Sequence, residues 1–469
     1  MHRHVRLRLH HRGEKRLARR RDVRPRRTQG LAPAHHLHRR QQRRSRSLRR
    51  HQQAQRLPVL PRPPAQDRRS PRAGSRALVR KRASPPVSVL LSSGSVVAGA
   101  RTSRGARWRI VRGLSFSFTA WILLTSFAGA KPPEPVTPGT IREARALLQY
   151  LDAVSGRYIL SGQQEDAAVP DWSKDGNVDF DFIEKTTGKL PVTRGFDYVW
   201  FTLKPEKTGP RTVGRRAVAW ARRGGVVQLC VHWAADLGSP AGQPDFYTPS
   251  ETRKGTTFDI AQVTVEGTPE NKEFLAKLAR FAPDLQYLRD QHVPVIWRPF
   301  HEAGGTWFWW SAKGPEPFKK AWRYLYERMT RDYGLTNLLW CFNPVEQEGV
   351  IEAWYPGNDV VDIVSSDFYP AAGHPTFGPV YQHFRAFTGN RKVVLMSENG
   401  AIPDPDLLAA EGAGWASFCT WTAGFISDGK ANTPEFIKTV YAHPRVLTLD
   451  EVPDIYRWKP GRPLKKGRQ

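Results

Sequence analysis

From residue 140 to residue 458 the chain alternates short, β-rich apolar runs with stretches whose apolar residues recur at helical spacing. Eight runs predict strands: 158–161, 191–196, 226–231, 294–300, 337–342, 361–365, 393–396 and 416–421. Between the third and fifth of these, Leu275, Leu278, Leu285 and Leu288 form a broken helical face, and Phe318, Trp322, Leu325 and Met329 form another. Strands alternating with helices signal parallel β/α units. Eight such units predict an α/β fold, a (β/α)8 TIM barrel, with its active site at the C-terminal strand ends. Upstream, Ile141, Ala144, Leu147, Leu148 and Leu151 share one apolar helical face, and Thr140 with Glu143 has capping-box spacing.

Polar residues at strand ends are therefore the candidates for chemistry. The second run leads into Asp197 and Tyr198, the third into His232 and Trp233, and the fourth into His301 and Glu302. The fifth leads into Asn343, the sixth into Asp367 and Tyr369, and the seventh into Glu398. Carboxylates directly after apolar strands are costly to bury without partners, so their convergence points to a site. Cys230, Cys341 and Cys419 all lie inside strand runs, and their odd number argues for buried thiols over a disulfide framework. No glycine-rich phosphate loop and no metal-ligand spacing is present, so neither a cofactor nor a metal is expected; His292 reads as a loop residue.

Charge divides the chain unevenly. Of 73 Lys and Arg and 43 Asp and Glu, 33 basic and 3 acidic residues precede residue 131, which leaves 40 of each sign in the remainder. The formal charge of +30 thus belongs to the first 130 residues, and the balanced remainder is long enough for one elaborated barrel. Residues 1–103 are Arg-rich and poor in aliphatic and aromatic side chains, which predicts disorder. A basic arm could grip phosphates nonspecifically. Nucleic-acid binding is not expected of the mature protein, because a secretory-type segment follows at 104–130. Arg104, Arg107, Arg109 and Arg112 precede an apolar stretch from Leu114 to Phe127, and Ala128, Gly129 and Ala130 form a small-residue cleavage site. No Met lies between Met1 and Met329, which suggests a translation start at a non-Met codon near Val96, Val97 or Val111. A secreted or periplasmic, monomeric protein without stable membrane association is expected; an uncleaved anchor is the alternative. Residues 131–139 read as a stiff Pro-rich linker, 140–458 as the catalytic domain and 459–469 as a basic tail, solvated from Lys465 to Gln469.

Glu302 and Glu398, following the fourth and seventh strands, would face each other across the barrel mouth. Two carboxyls about 5 to 5.5 Å apart can hydrolyse a glycoside with retention. Trp297, Trp307, Phe308, Trp309 and Trp310 crowd the same stretch, and flat rings suit the C–H faces of sugars.

These residues stand in a specific context. Trp297-Arg-Pro-Phe-His-Glu-Ala-Gly-Gly-Thr-Trp-Phe-Trp-Trp310, the runs 337–340, 354–357 and 361–364, Asp367-Phe-Tyr369 and Ser397-Glu-Asn-Gly400 together resemble glycoside hydrolase family 26. Val231-His-Trp233 and Asp245-Phe-Tyr247 resemble that family's third-strand region. The resemblance spans roughly residues 141 to 458 and implies a retaining endo-β-1,4-mannanase acting on mannan, glucomannan or galactomannan. It implies that Glu302 is the acid/base and Glu398 the nucleophile. Arg298 would orient and tune the carboxylates, and His232 and His301 would bond sugar hydroxyls, with Trp233 beside them. Trp307 would be the stacking platform, Asp367 and Tyr369 would position the nucleophile and contact the sugar, and Trp421 would floor the site. One departure is Ala303-Gly304-Gly305 after the acid, where many members carry Met-Asn-Gly or a related triplet.

Competing roles exist for each candidate. Glu302 could be half of a buried ion pair with Arg298, Glu398 a helix cap, Tyr369 a plug at the rim and His232 a core histidine. At least one of Trp309 and Trp310 should be core, since adjacent side chains diverge. A β-glycanase for mixed-linkage glucan or β-1,3-xylan, or a noncatalytic sugar-binding protein, would share the same aromatics.

Overall fold

The computed structural model describes residues 131–166, 178–209, 211–347, 349–422 and 424–467. The chain divides into two units, Met1–Leu78 and Val79–Gln469, and every described residue lies in the second. The Arg-rich region 1–103 and the secretory-type segment 104–130 lie outside the described residues.

Among the described residues nine strands are formed: β1 (Ile159–Leu160), β2 (Gly162–Gln164), β3 (Thr193–Asp197), β4 (Val226–Cys230), β5 (Val295–Arg298), β6 (Leu338–Phe342), β7 (Ile363–Phe368), β8 (Val393–Asn399) and β9 (Val446–Leu447). Strands β2 to β8 pair in sequence order, all parallel, while β1 pairs with β9. Parallel neighbours in chain order are what successive right-handed crossovers produce, and here they curl into the expected barrel.

The eighth stave differs from expectation. Residues 416–421 form no continuous ladder, yet they close the barrel by bonding both edges. Leu160 N donates to Ala416 O at 2.9 Å and Thr420 N to Gly162 O at 3.0 Å, while Ala416 N donates to Val394 O at 3.0 Å and Asn399 N to Cys419 O at 3.0 Å. The ladder breaks because the first stave itself is split at Ser161, whose N–H and hydroxyl both turn to Leu447 O. Gly162 lets the closing stave approach, since a Cβ there would lie 2.3 Å from Phe418 O.

One end of the barrel is plugged. Helix Arg142–Val154 packs Leu147, Leu148 and Leu151 into one cluster with Val226, Ile296, Leu339, Ile363 and Val393, which lie at the N-terminal ends of their strands. Polar strand-end groups are left to the opposite mouth. The expected capping box does not form: the Thr140 hydroxyl donates to Thr137 O, and Glu143 accepts from Arg142. The second predicted helix runs unbroken over Pro269–Asp290 with Pro283 inside it.

Both terminal segments of the domain are docked. Val136 N donates to Asp362 at 2.7 Å and Tyr326 donates to Val136 O, so the end of the Pro-rich segment lies on the barrel. In the basic tail Leu464 O accepts from Tyr150, and Lys465 pairs with Glu451 at 2.9 Å. All three cysteines are buried and free.

Candidate active site

Glu398 owes its inward aim to a defect in the ladder. Along β8, Val393 and Leu395 join the inner cluster, whereas Val394 and Met396 join the cluster shared with the outer helices. Strict alternation would then turn Ser397 inward and Glu398 outward. The register shifts between Ser366 and Asp367, so that Ser366 pairs with Met396 and Asp367 with Glu398. This bulge brings both Ser397 and Glu398 to the inner side.

Arg298, the last residue of β5, is completely buried beneath them. Its guanidinium donates to Asp367 Oδ2 at 2.7 Å, to Asn343 Oδ1 at 3.2 Å and to Glu398 Oε1. Tyr369 donates to the other Glu398 oxygen at 2.6 Å. Glu398 is therefore held by donors on both oxygens, an arrangement suited to a carboxylate. Asp367 also accepts from Ser397 at 2.7 Å. Burial pushes its pKa up; Arg298 opposes this and Glu398 adds to it, leaving Asp367 at about 7.

Glu302 stands just beyond β5 in a left-handed conformation, φ 53°. For a residue with a Cβ this costs roughly 1–3 kcal/mol, and such backbone persists only where its surroundings enforce it. Its N–H donates to Asn343 Oδ1 at 2.7 Å, its carbonyl accepts from Gly305 N at 2.8 Å, and its Oε2 accepts from Trp307 Nε1 at 2.5 Å. Burial raises the Glu302 pKa well above the usual carboxylate range, and the charges of Asp367 and Glu398 raise it further. The two carboxyls thus feel one another in a shared mouth.

The turn after Glu302 is sterically closed. A Cβ on Gly305 would lie 2.4 Å from Trp307 Cζ2, and one on Gly304, at φ 90° and standing where many members carry Asn, would lie 2.3 Å from Val350.

A histidine pair lines the third-strand side. His232 Nδ1 lies 2.6 Å from Asp197 Oδ2, and His232 Nε2 lies 3.2 Å from His301 Nε2. Burial works against a charge on His232, but Asp197 outweighs it and raises the pKa. Burial, then His232 and Arg298, lower that of His301, so it is the neutral partner. The Trp421 ring centroid is 5.9 Å from that of His232, which puts this residue of the closing stave beside the pair.

The structure gathers Glu302, Glu398, Arg298, His232, His301, Trp307, Asp367, Tyr369 and Trp421 at one mouth. Trp233 is a correction. It is buried and stacks on Phe274 at 4.5 Å with planes 4° apart, because it follows His232 and points to the helix layer. Trp309 and Trp310 are both core, with no exposed surface, and donate to Trp233 O and His301 O. Asp197 and Asn343 are visible in the sequence as strand-end polar groups without an assigned role; the structure places both in the network. Their signal is position, one residue each at a strand end.

The profile of glycosyl hydrolase family 26 matches residues 136–451. The chain belongs to glycosyl hydrolase family 26. Among family relatives it is 37% identical over 326 residues to a mannan endo-1,4-beta-mannosidase of Thermothelomyces thermophilus, covering 67% of this chain and 62% of that protein. It is 32% identical over 328 residues to mannan endo-1,4-beta-mannosidase B of Piromyces sp, covering 68% of this chain and 54% of that one. The chain therefore spans somewhat more than half the length of these relatives. Among family structures, the Podospora anserina GH26-CBM35 beta-(1,4)-mannanase superposes with TM-score 0.62 at 34% identity over 69% of this chain and 70% of that one. The beta-mannanase from a symbiotic protist of the termite Reticulitermes speratus, solved with gluco-manno-oligosaccharide, gives 0.60 at 32% identity over 68% and 96%.

Proposed function

We propose that this family 26 chain is an endo-β-1,4-mannanase that cleaves internal mannosidic bonds of mannan-type polysaccharides by double displacement with retention. The observation carrying this reading is the division of labour between two carboxyls in one mouth. Burial and neighbouring negative charge favour the protonated form of Glu302, and Glu398 has both oxygens fixed by Arg298 and Tyr369. Environments that separate two carboxyls in this way mark an acid and a nucleophile.

In the first step Glu398 attacks the anomeric carbon while Glu302 gives its proton to the departing glycosidic oxygen. A glycosyl-enzyme ester forms and the leaving saccharide departs. Glu302, now a carboxylate, takes a proton from water, which attacks the ester and frees Glu398. Arg298 and Tyr369 hold the nucleophile on line, and Asp367 holds Arg298. Trp307 supplies a flat face next to the acid.

The names of the relatives support mannan as substrate, and the apolar run before residue 131 supports a secreted or periplasmic location. Among the described residues no helix is long and apolar enough to cross a membrane. The test is hydrolysis of unsubstituted mannan, with product sizing and NMR of the fresh reducing end. Internal cleavage with an initial β-anomer is expected, and Glu398→Ala should abolish it. An initial α-anomer, or full activity of Glu398→Ala, would overturn the proposal.

A further inference from the structure

Asn343 lies at the end of β6, fully buried, and touches both halves of the catalytic apparatus. Its Oδ1 accepts from the Glu302 backbone N–H at 2.7 Å and from Arg298 at 3.2 Å. Its Nδ2 donates to Asp367 Oδ1 at 3.1 Å, Ser365 Oγ at 3.2 Å and Ser397 Oγ at 3.0 Å. The amide can sit only this way round, because a backbone N–H and a guanidinium offer no acceptor, so the oxygen must face them.

The two halves depend on Asn343 unequally. On the nucleophile side the contacts are redundant: Arg298 keeps Asp367 and Glu398, Asp367 keeps Ser397, and Glu398 keeps Tyr369. On the acid side the Glu302 N–H has Asn343 Oδ1 as its recorded acceptor, and that bond holds a left-handed residue. The next residue is held by the same unit, since Ala303 N donates to Asn343 O at 2.8 Å. Without the side-chain oxygen, the Glu302 N–H is left unpaired and the strained turn loses one of its restraints, the one on the residue's own N–H.

We infer that Asn343 is a positioning residue for general acid catalysis: it pins the backbone of Glu302 in the left-handed turn that aims its carboxyl at the leaving oxygen. The inference rests on Glu302 being the acid/base of the proposed reaction.

Leaving-group dependence provides the test. Values of kcat/KM, which report glycosylation, are measured on a β-1,4-manno-oligosaccharide and on 2,4-dinitrophenyl β-mannobioside, whose phenolate leaves without a proton. Wild type, Glu302→Ala, Asn343→Ala and Asn343→Asp are compared, with folding followed by circular dichroism. Glu302→Ala should lose roughly 10²- to 10⁴-fold on the oligosaccharide and little on the aryl glycoside. Asn343→Ala should lose at least about tenfold on the oligosaccharide and several-fold less on the aryl glycoside. Asn343→Asp keeps an oxygen for Glu302 N–H. Whatever it loses on both substrates through a new charge beside Asp367, its ratio of kcat/KM on the oligosaccharide to that on the aryl glycoside should stay near wild type. Equal losses of folded Asn343→Ala on both substrates, or none, would overturn the positioning role while leaving the acid assignment intact. If Asn343→Ala does not fold, a loss of Asn343→Asp that is selective for the oligosaccharide, although the oxygen for Glu302 N–H is kept, overturns it instead. Equal losses of Glu302→Ala on both substrates would overturn the underlying reading.

Discussion

Trp307 gives its indole N–H to Oε2 of Glu302 at 2.5 Å, so the ring proposed to carry the sugar is tied to the group proposed to protonate it. This bond favours the ionised carboxylate and works against the burial that keeps Glu302 protonated. Trp307→Phe keeps an aromatic face and removes the donor. The Glu302 pKa should rise, so the alkaline limb of the kcat/KM profile should move to higher pH while KM changes little. A limb that stays in place or moves to lower pH would contradict the assignment of Glu302 as the acid.

Gly305 makes the Trp307 platform possible. Gly305→Ala would bring a Cβ to 2.4 Å from the ring and force it off the turn. A loss of about tenfold or more in kcat/KM on mannan is expected, since small displacements of positioning groups are costly. Thermal melts should show the fold intact, and kinetics equal to wild type would exclude this account of the turn.

Trp233 should behave as core. Trp233→Ala removes a ring stacked on Phe274 and should cost about 3–5 kcal/mol of unfolding free energy, measured by denaturant titration. The folded fraction should keep the wild-type KM. A raised KM with normal stability would return Trp233 to the substrate surface.

The His232–Asp197 pair ties stability to pH. His232 has a folded-state pKa raised above 6.5, so its contribution is fully present below about 6.5 and is lost as pH rises through the raised value. Asp197→Asn should lower the His232 pKa, read by NMR of the imidazole. Its melting-temperature deficit relative to wild type should be largest in acid and shrink towards alkaline pH. A deficit that grows with pH would reverse the sign and refute the pairing.

Much of the mouth was legible because strand periodicity and strand ends are local features. Glu302, Glu398 and Tyr369 each follow an apolar run, and a barrel brings such ends together whatever the intervening helices do. Trp233 was misplaced for the converse reason: a strand end gives proximity to the mouth, but the side on which a ring emerges depends on its neighbour, and His232 took the inner side. The capping box failed because Thr140 and Glu143 found other partners, Thr137 and Arg142, in the packed structure.

What the sequence determined by itself is the alternation that makes a barrel and the two acidic residues, four and seven strands in, that such a barrel must carry to one face. What only the tertiary structure decided is how each acid is held. The bulge opposite Asp367 turns Glu398 inward against the alternation of its strand, and a buried amide 41 residues away in sequence accepts the backbone N–H of Glu302. Neither leaves a periodic trace, because register shifts and hydrogen bonds between distant staves arise only once the sheet has closed and its buried polar groups must find partners.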